Sequence, residues 1–437
     1  MIDAGLLFEG MLLVYASLGK TGKPQRHEHT TLAGIAVSFG GQGGATDGRV
    51  IFIVLATGTK CLPAVARHPD GHSVHDSHAE VLARRTMVRW LMDEALVMYA
   101  GKPSAVFEKG DGGRLNLRDG VAFHLVSSAA PCGDCAIAAP EGQRCLGTGD
   151  PADNAACVKR QRTGAKLVYN SSVLPRQEDV EKAAQKPGVV RRKPGRGSPT
   201  ASTSCSDKIL RWMHLGFQGC CFRSLLEQPL RFSSITAANA SQEALQRGVW
   251  DRRPVADLKA PAICSLPVSR KLLDQYGLCS TFEARVVGAG DSVSWWSPNS
   301  HEWSLATNSS VQTLVTGAET VCSAIPKASK EFREVLTGKS GYCAGCSSKS
   351  GATPLPRFHS RLSRSSMRSH FLGLLAAANG TGLDDVKNTR SWAAADDEEF
   401  KRQVCPDYVA AWAELRGGID GVFSKWIHFD PRIRIRK

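Results

Sequence analysis

Apolar residues in the first half of the chain follow two different periods, which predict alternating strands and helices. A stretch over 10–18 is mostly apolar and is about half as long as a bilayer span, so it predicts a core helix. It lacks a basic lead-in and a cleavage site, and we expect neither a signal peptide nor an anchor there. β-like runs at 31–39 and 49–57 flank a glycine-rich stretch at 40–44, which indicates two strands joined by a loose loop.

From residue 76 the period becomes that of a helix. Apolar residues recur at spacings of three and four, namely Val81, Val88, Leu91, Met92 and Ala95. This spacing predicts a helix over 76–99. We expect a further strand at 121–127 and a second helix start at residue 131. Strands and helices in this order are typical of a layered α/β core in which helices pack on a sheet.

The remaining chain divides by composition. Residues 140–204 are rich in Gly, Pro, Ser, Arg and Lys and show little periodicity, so we interpret them as a basic loop inserted into the core. Helical periodicity returns at 206–218. Residues 324–360 form another loose segment, and we expect the rest of the C-terminal part to be helical.

Composition and charge indicate a polyanionic partner and a reducing compartment. The 437 residues are 42% hydrophobic and 22% charged, a mix that excludes global disorder and a polytopic membrane protein. Lys and Arg number 55 against 41 Asp and Glu, and the resulting net charge of +14 is typical of nucleic-acid-binding proteins. Fourteen cysteines without a secretory signal favour core packing, metal ligation or catalysis over disulfides.

Two short motifs carry candidate metal chemistry. His78-Ala-Glu80 begins the first strong helix, and Pro131-Cys132 follows a strand. Zinc takes about four N or S ligands, and a helix N-terminus favours a thiolate. A His, a Glu two residues later and a distant Pro-Cys pair match the signature of zinc nucleobase deaminases. We therefore predict that His78 and Cys132 bind Zn²⁺ and that Glu80 moves protons.

The residues alone leave the third zinc ligand open. Cys135 stands one helical turn after Cys132, a spacing that cytidine-deaminase-like proteins use. Cys205 lies between two serines that are suited to cap another helix. Spacing slightly favours Cys135.

Several cations occupy positions that face the predicted core. Arg85 projects from the apolar side of the first strong helix, and Lys208 and Arg211 lie on roughly the same side of their helix as Cys205. Charges in such positions are costly unless something anionic neutralises them. Two interpretations stay open: these side chains reach the surface or pair with nearby aspartates, or they surround an anion enclosed beneath the metal site.

Six segments occur in an order that resembles a known family. They are Gly58-Thr-Lys-Cys61, Asp76-Ser-His-Ala-Glu80, Phe123-His-Leu, Pro131-Cys-Gly-Asp134, Ser204-Cys-Ser-Asp-Lys-Ile209 and Gly216-Phe-Gln-Gly219. Together they resemble the deaminase domain that RNA-editing adenosine deaminases acting on double-stranded RNA share with a tRNA-specific relative. The resemblance is dense up to residue 235 and thin beyond it. Lys20-Thr-Gly-Lys-Pro24 and Arg192-Lys-Pro-Gly-Arg-Gly197 point to the tRNA branch.

This resemblance implies a fold, a reaction and a partner. The fold would be α/β, with a cytidine-deaminase-like central sheet, flanking helices and a helical C-terminal part that encloses a polyphosphate. Residues 1–437 would form a single editase domain, with the zinc-site core at about 30–235, the basic loop at 140–204 and the C-terminal part at 236–437. The implied reaction is zinc-dependent hydrolytic deamination of adenosine to inosine in tRNA, at the adenosine 3′ of the anticodon in alanine tRNA. We expect no DNA, membrane or obligate protein partner, and a location in the nucleus or cytoplasm.

The resemblance also implies site residues. It makes Cys205 the third zinc ligand and leaves Cys135 as a departure from the family pattern. The family encloses inositol hexakisphosphate below the zinc site, and the matching basic residues here are Arg84, Arg85, Lys208, Arg211, Arg364 and Arg402. Asp76 and Lys208 would link the histidine's surroundings to the phosphates. Cys220, Trp412 and Phe429 stand where the double-stranded-RNA branch has polar ligands.

Basic residues near the proposed pocket are candidates for contacts with RNA phosphates. We expect substrate contacts from Lys60, Arg192 and Arg196. The same basic loop also carries Arg160, Arg162, Arg191 and Lys193.

Two alternatives keep the fold but change the function. The first alternative is a catalytically silent RNA-binding protein, and the second is a cytidine deaminase. Intact His78, Glu80 and cysteines count against the first, and the length and basic charge count against the second. Cys343 and Cys346 have zinc-finger spacing, but no second pair lies close by in the sequence.

Overall fold

A mixed sheet of nine strands lies at the centre of the described part of the chain. The computed structural model describes residues 2–40, 46–67, 70–137, 166–167, 186–194, 200–254, 258–279, 287–300, 311–316, 319–324, 332–346, 354–378, 397–417 and 423. Along the main path of the sheet the strands are Ala262–Leu266, Phe232–Ala238, Ala122–Ser127, Leu32–Gly40, Thr46–Thr57, Asp291–Trp296 and Arg333–Thr337. Two further strands, Glu319–Ala324 and Val311–Thr316, extend from Thr46–Thr57.

Strand directions change across the sheet. Phe232–Ala238 runs parallel to both of its neighbours, whereas Leu32–Gly40 is antiparallel to both of its own. Among the described residues, four short strand pairs lie outside the sheet: Glu28–His29 with Val287–Gly288, Thr59–Cys61 with Asp76–His78, Phe107–Lys109 with Leu115–Leu117, and Lys166–Leu167 with Arg191–Arg192.

Helices pack on the sheet because its strands are apolar on both faces. The described helices are α1 (Ala4–Ser17), α2 (Ala79–Tyr99), α3 (Cys205–Leu215), α4 (Gly219–Arg223), α5 (Gln242–Gln246), α6 (Arg270–Gln275), α7 (Arg364–Ala378), α8 (Asp397–Val404) and α9 (Pro406–Gly417). Ile35 and Val37 belong to the core that contains α2 and α3. Leu32 and Ala36 of the same strand belong to a second core built around α1. Successive side chains of a strand point to opposite faces, so the sheet separates two helical layers.

The early elements confirm the periodicity analysis. A core helix, two antiparallel strands, a long helix and a further strand appear near the predicted positions. The glycine-rich stretch between the first two strands lies largely outside the described residues. The helix predicted at 206–218 is α3, which begins at Cys205 and ends where Gly216 adopts a φ of 83°.

Two predicted elements are wrong. The helix expected from residue 131 is instead a single 3₁₀ turn, Asp134–Ala136, because Gly133 has a φ of 106° and Ile137 is extended. The C-terminal part is not simply helical, since it supplies Asp291–Trp296 and Arg333–Thr337 to the sheet. The second of these strands lies within the segment that the sequence indicated as loose.

None of the helices in the described ranges is long and apolar enough to cross a lipid bilayer.

Candidate active site

Three candidate metal ligands come together from separate parts of the fold. His78 ends a short strand and occupies the N-cap position of α2, and Cys205 is the first residue of α3. Cys132 lies in the loop after the strand Ala122–Ser127, just before the 3₁₀ turn. One ligand atom from each of the three residues lies within 4.8 Å of the others.

The individual contacts define a tight cluster. The His78 Nδ1 atom is 3.6 Å from the Cys205 Sγ and 3.8 Å from the Cys132 Sγ. The Cys205 backbone N–H donates to the Cys132 Sγ over 3.3 Å, as expected at a helix N-terminus that favours negative charge. Hydrogen bonding with Cys205 and the nearby Lys193 ammonium hold the pKa of Cys132 well below its usual value. One imidazole nitrogen and two sulfurs are a donor set that suits zinc and leaves a position for water.

Glu80 lies beside this cluster in the first turn of α2. Its Oε2 is 3.2 Å from the Cys205 Sγ, and the side chain is almost fully buried. Burial, with a contribution from Cys132, raises the pKa of Glu80. A carboxyl group with a raised pKa is suited to accept and return a proton near neutral pH.

Cys135 is not part of the cluster. It is buried, its Sγ faces the Leu245 carbonyl oxygen at 3.9 Å, and the backbone of Gly248 packs against it. A 3₁₀ turn replaces the helix that was expected from residue 131, and it directs this side chain toward α5. Burial raises the pKa of its thiol. The geometry therefore brings Cys205, and not Cys135, to His78 and Cys132.

Lys193 is a site residue that the sequence analysis assigned to a different role. Its side chain is 0% exposed, and its Nζ lies 3.2 Å from the Cys205 Sγ and 2.9 Å from the Asp76 Oδ2. Arg191 is also fully buried, and its guanidinium donates to the carbonyl oxygens of Lys186 and Val189. The expectation that these two residues contact RNA phosphates is therefore wrong, because neither side chain reaches solvent. A run of basic residues carries no signal for burial.

Asp76 joins the cluster to a neighbouring cavity. It accepts hydrogen bonds from Lys193, Lys208 and Ser202, and from the His78 backbone N–H at 3.1 Å. Burial alone raises the pKa of Asp76, but Lys193 and Lys208 outweigh it and hold that pKa well below its usual value. Asp76 is thus an anion between two lysines.

The cavity has a volume of about 240 Å³ and a strongly cationic lining. Its lining contains Arg67, Arg84, Arg85, Lys208, Arg211 and Arg364. Among the described residues, Asp76 is the single carboxylate of that lining. Burial, together with neighbouring cations, lowers the pKa of Arg84 and of Arg85 to about 10. Arg84 and Arg85 are partly buried, so the inward positions noted in the sequence lead into this cavity.

Other elements hold the cavity cations in place. The Arg85 Nε donates to the Leu362 carbonyl oxygen over 2.8 Å, and Arg84 donates to the Phe217 carbonyl oxygen. Arg211 lies over the Trp412 ring at 5.2 Å from its centroid. Trp412 stands at a position where the double-stranded-RNA branch has a polar ligand, and here its ring contacts a cavity arginine instead.

Arg402 does not belong to the cavity lining. Its side chain is 59% exposed and pairs with Glu399 one turn earlier on α8. The expected contact with inositol hexakisphosphate is therefore not supported for this residue, since it lies on the solvent side of its helix. Phe429 lies outside the described residues.

The predicted substrate contacts are only partly described. Lys60 lies in the short strand Thr59–Cys61, opposite Ser77 and next to the pairing of Thr59 with His78. Arg192 is half-buried and donates to the Thr200 carbonyl oxygen. Arg196, Arg160 and Arg162 lie outside the described residues. Lys60 is thus the basic candidate placed beside the metal cluster.

Cys343 and Cys346 do not form a metal site with other described residues. Within the described ranges, the group of three potential ligands that lies close enough to share a metal is the one at His78. Burial raises the pKa of the Cys343 thiol to about 12.

A family model matches most of the chain. The model of the adenosine-deaminase (editase) domain covers residues 54–428. This range includes the three clustered ligands, Glu80 and the cationic cavity.

Individual relatives agree with that match. A tRNA-specific adenosine deaminase 1 from Drosophila melanogaster is 36% identical over 243 residues, which cover 54% of this chain and 56% of that protein. A protein of the same name from Mus musculus is 25% identical over 516 residues and covers 95% of both chains. A double-stranded RNA-specific adenosine deaminase from Rattus norvegicus is 29% identical over 216 residues, which cover 46% of this chain and 17% of that protein.

Proposed function

Since the chain belongs to the adenosine-deaminase (editase) domain family, we propose that it converts adenosine to inosine in tRNA by zinc-dependent hydrolysis. The observation that carries this proposal is the cluster of His78, Cys132 and Cys205 with the Glu80 carboxyl in contact with it. The tRNA substrate follows from the names of the Drosophila and mouse relatives, and the net charge of +14 supports a polyanionic substrate.

His78, Cys132 and Cys205 would hold the metal. A zinc ion there would supply the Lewis acidity that makes water a nucleophile near neutral pH. Glu80 takes up a proton and delivers it to the base, so that adenosine and water yield inosine and ammonia. Lys193 donates to the Cys205 Sγ and is held by Asp76, which keeps the sulfur oriented.

We propose inositol hexakisphosphate as the ligand of the cationic cavity. Burying several like charges together is strongly unfavourable unless anions neutralise them, and a compact polyphosphate meets that need. Arg84, Arg85, Lys208, Arg211 and Arg364 would contact it. Through Lys208 and Asp76, the bound phosphates would then stabilise the surroundings of the metal ligands.

Substrate position and chain organisation are finer parts of the same proposal. We place the reacting adenosine 3′ of the anticodon in alanine tRNA, with Lys60, Arg192 and Arg196 contacting the RNA. We also propose that residues 1–437 form a single domain, which is supported by a sheet that takes strands from residue 32 to residue 337.

The test is inosine formation by the purified protein. Total tRNA that lacks the modification is incubated with the protein, and inosine is located by sequencing and quantified by mass spectrometry of nucleosides. We expect inosine at one position of alanine tRNA. The Glu80→Gln variant should keep its zinc and lose activity by about 10²–10⁴-fold, because an amide cannot transfer the proton.

Each other outcome has a distinct meaning. Protein without stoichiometric zinc that forms no inosine would favour the silent RNA-binding alternative. Uridine formed from cytidine would favour a cytidine deaminase. Near wild-type activity in Glu80→Gln would contradict the assigned role of this carboxyl.

A further inference from the structure

Two buried aspartates follow the two cysteines at the same spacing. Asp134 comes two residues after Cys132, and Asp207 comes two residues after Cys205. Both carboxylates are fully buried. Buried carboxylates persist only with close cationic and hydrogen-bonding partners. Ser204, next to Cys205, donates to Asp207, but the cationic partners of both aspartates come from a part of the chain outside the two cysteine segments.

A single turn of π-helix, Arg247–Asp251, and the next residue, Arg252, supply these cations. The Arg252 backbone N–H donates to the Arg247 carbonyl oxygen over 3.2 Å, which is the five-residue spacing of a π turn. Residues five apart in an α-helix point about 140° away from each other. The π turn instead directs Arg247 and Arg252 toward the same pair of aspartates.

Arg252 connects the two aspartates directly. Its Nη1 lies 2.7 Å from the Asp207 Oδ1, and its Nε lies 3.8 Å from the Asp134 Oδ2. The Arg252 side chain is 2% exposed. Its Nη2 donates to the Gly248 carbonyl oxygen, which fixes the guanidinium to its own turn. One guanidinium therefore joins the segments of both cysteines.

Arg247 holds the Cys132 segment from a second direction. Its Nε donates to the Asp134 Oδ2 over 2.8 Å, and its Nη2 donates to the carbonyl oxygens of Asp134 and Ile137. These contacts join both ends of the 3₁₀ turn Asp134–Ala136, which is only three residues long.

The same aspartates also anchor the segment that carries Lys193. The Gly188 backbone N–H donates to the Asp134 Oδ1 over 2.6 Å, and the Arg191 backbone N–H donates to the Asp207 Oδ2 over 2.9 Å. Lys193 follows Arg191 by two residues and contacts the Cys205 Sγ. Both carboxylates thus fix Lys193 as well as the two cysteines.

We propose that Arg252 and Arg247 are positioning residues that set the separation and orientation of the Cys132 and Cys205 thiolates through Asp134 and Asp207. The proposal rests on the metal-binding role of the two cysteines in the proposed function. Neither arginine touches the three candidate ligand atoms in any described contact. Their effect is therefore on metal affinity and ligand geometry.

The test measures zinc affinity by competition with a chromophoric chelator, on full-length protein. Changes in residues that orient metal ligands typically lower affinity 10–100-fold, and we expect a loss of this size in Arg252→Gln. Arg252→Lys keeps the charge but cannot span both carboxylates, so its loss should be smaller. In protein loaded with Co²⁺, the thiolate-to-metal absorption bands should shift in Arg252→Gln, because they report the arrangement of the two sulfurs.

Arg231→Gln is the matched control. Arg231 donates to the Met213 and His214 carbonyl oxygens at the far end of α3, so its loss also removes guanidinium hydrogen bonds from this helix. Its zinc affinity and cobalt spectrum should match wild type. If Arg252→Gln is not recovered folded, Arg247→Gln decides, because Arg247 is partly exposed and its removal leaves Arg252 in place. We expect about a tenfold loss of zinc affinity there.

The outcomes separate this inference from the proposed function. Wild-type protein that binds no zinc would contradict the proposed function. Wild-type protein that binds zinc, together with folded Arg252→Gln or Arg247→Gln variants of unchanged affinity and cobalt spectrum, would overturn the positioning role.

Discussion

Among single residues, Cys135 and Cys205 show how packing separates two thiols that look alike in the sequence. Cys205 lies 3.6 Å from the His78 Nδ1, whereas Cys135 packs against Gly248 and α5. We expect Cys205→Ala to lose zinc, because two protein ligands remain, and Cys135→Ala to keep most of it. Metal content of both purified variants checks this expectation. Retention of zinc in Cys205→Ala with loss in Cys135→Ala would reverse the ligand assignment.

His124 makes a residue-level prediction about pH. Its ring lies between Ser38 and Ser234 in the sheet, with nitrogen-to-oxygen distances of 2.9 and 2.8 Å. Burial lowers the pKa of His124 to about 4, from 6.5 for a free histidine. Between these values the unfolded chain binds a proton that the folded chain does not, so stability falls as the pH falls through 6.5 toward 4. The contribution of this residue between pH 7 and pH 5 is about 2 kcal/mol.

The measurement is urea unfolding at pH 7 and pH 5. His124→Gln keeps hydrogen-bonding atoms without a titration in this range, so it should lose about 2 kcal/mol less than wild type between the two pH values. His27→Gln, a change at an exposed histidine, serves as the control and should follow wild type. Equal pH slopes in all three proteins would contradict the burial argument.

Residue-level reasoning from the sequence succeeded where a motif restricts the chemistry. His78, Glu80 and Cys132 were chosen from local spacing, and the fold brings them together. Lys193 was grouped with the basic loop that was expected to contact RNA, and its burial was missed because its pairing with Asp76 spans 117 positions of sequence. Such long-range contacts leave no local pattern, and the same holds for Arg252 with Asp207.

At the scale of elements, the turn after Cys132 depends on one glycine. Gly133 has a φ of 106°, and a Cβ built there would lie 2.2 Å from the Ser204 Oγ and 2.4 Å from the Ser206 Oγ. Ser204 caps α3, so the clash would reach the Cys205 helix. We expect Gly133→Ala to lose about 3 kcal/mol or more, from backbone strain and this clash together, and to lower zinc content.

Gly101→Ala separates the two causes. Gly101 has a φ of 82°, but nothing lies within 4 Å of a Cβ built there. Its cost should be the backbone term alone, about 1 kcal/mol, with zinc content unchanged. Denaturant unfolding and metal analysis of both variants test the comparison. Equal effects on stability and zinc would show that the contact with Ser204 does not matter.

Elements were predictable where a local pattern was long enough. Helix α2 spans 21 residues, and its apolar spacing indicated it directly. The strands Asp291–Trp296 and Arg333–Thr337 were missed because each is short and pairs with distant partners. In Asp291–Trp296 five of the six residues are buried, serines included, so no alternation of polar and apolar residues marks it.

At the scale of the whole molecule, the positive charge has two locations. Part of the net charge of +14 is available to a polyanionic substrate. Another part lines the cavity next to the metal cluster, where six cationic side chains meet Asp76 among the described lining residues. Arg364 also pairs with Asp397 of α8, which offsets one of them. The remaining excess of partly buried positive charge is the reason why we propose an anion in this cavity.

The last prediction follows from that proposal. A ligand that binds only the folded state adds about 4 kcal/mol of stability at a thousandfold excess over its Kd. We expect about one inositol hexakisphosphate per chain after purification from a eukaryotic host, detected by phosphate analysis of an acid extract and by mass spectrometry. Arg85→Ala and Lys208→Ala should lower the yield of folded protein and the ligand content together, because each removes a cation that contacts the ligand. Arg402→Ala, which removes an exposed arginine paired with Glu399, should change neither. Fully active protein without any bound inositol phosphate would exclude this ligand, and acidic groups of the chain itself would then have to neutralise the cavity.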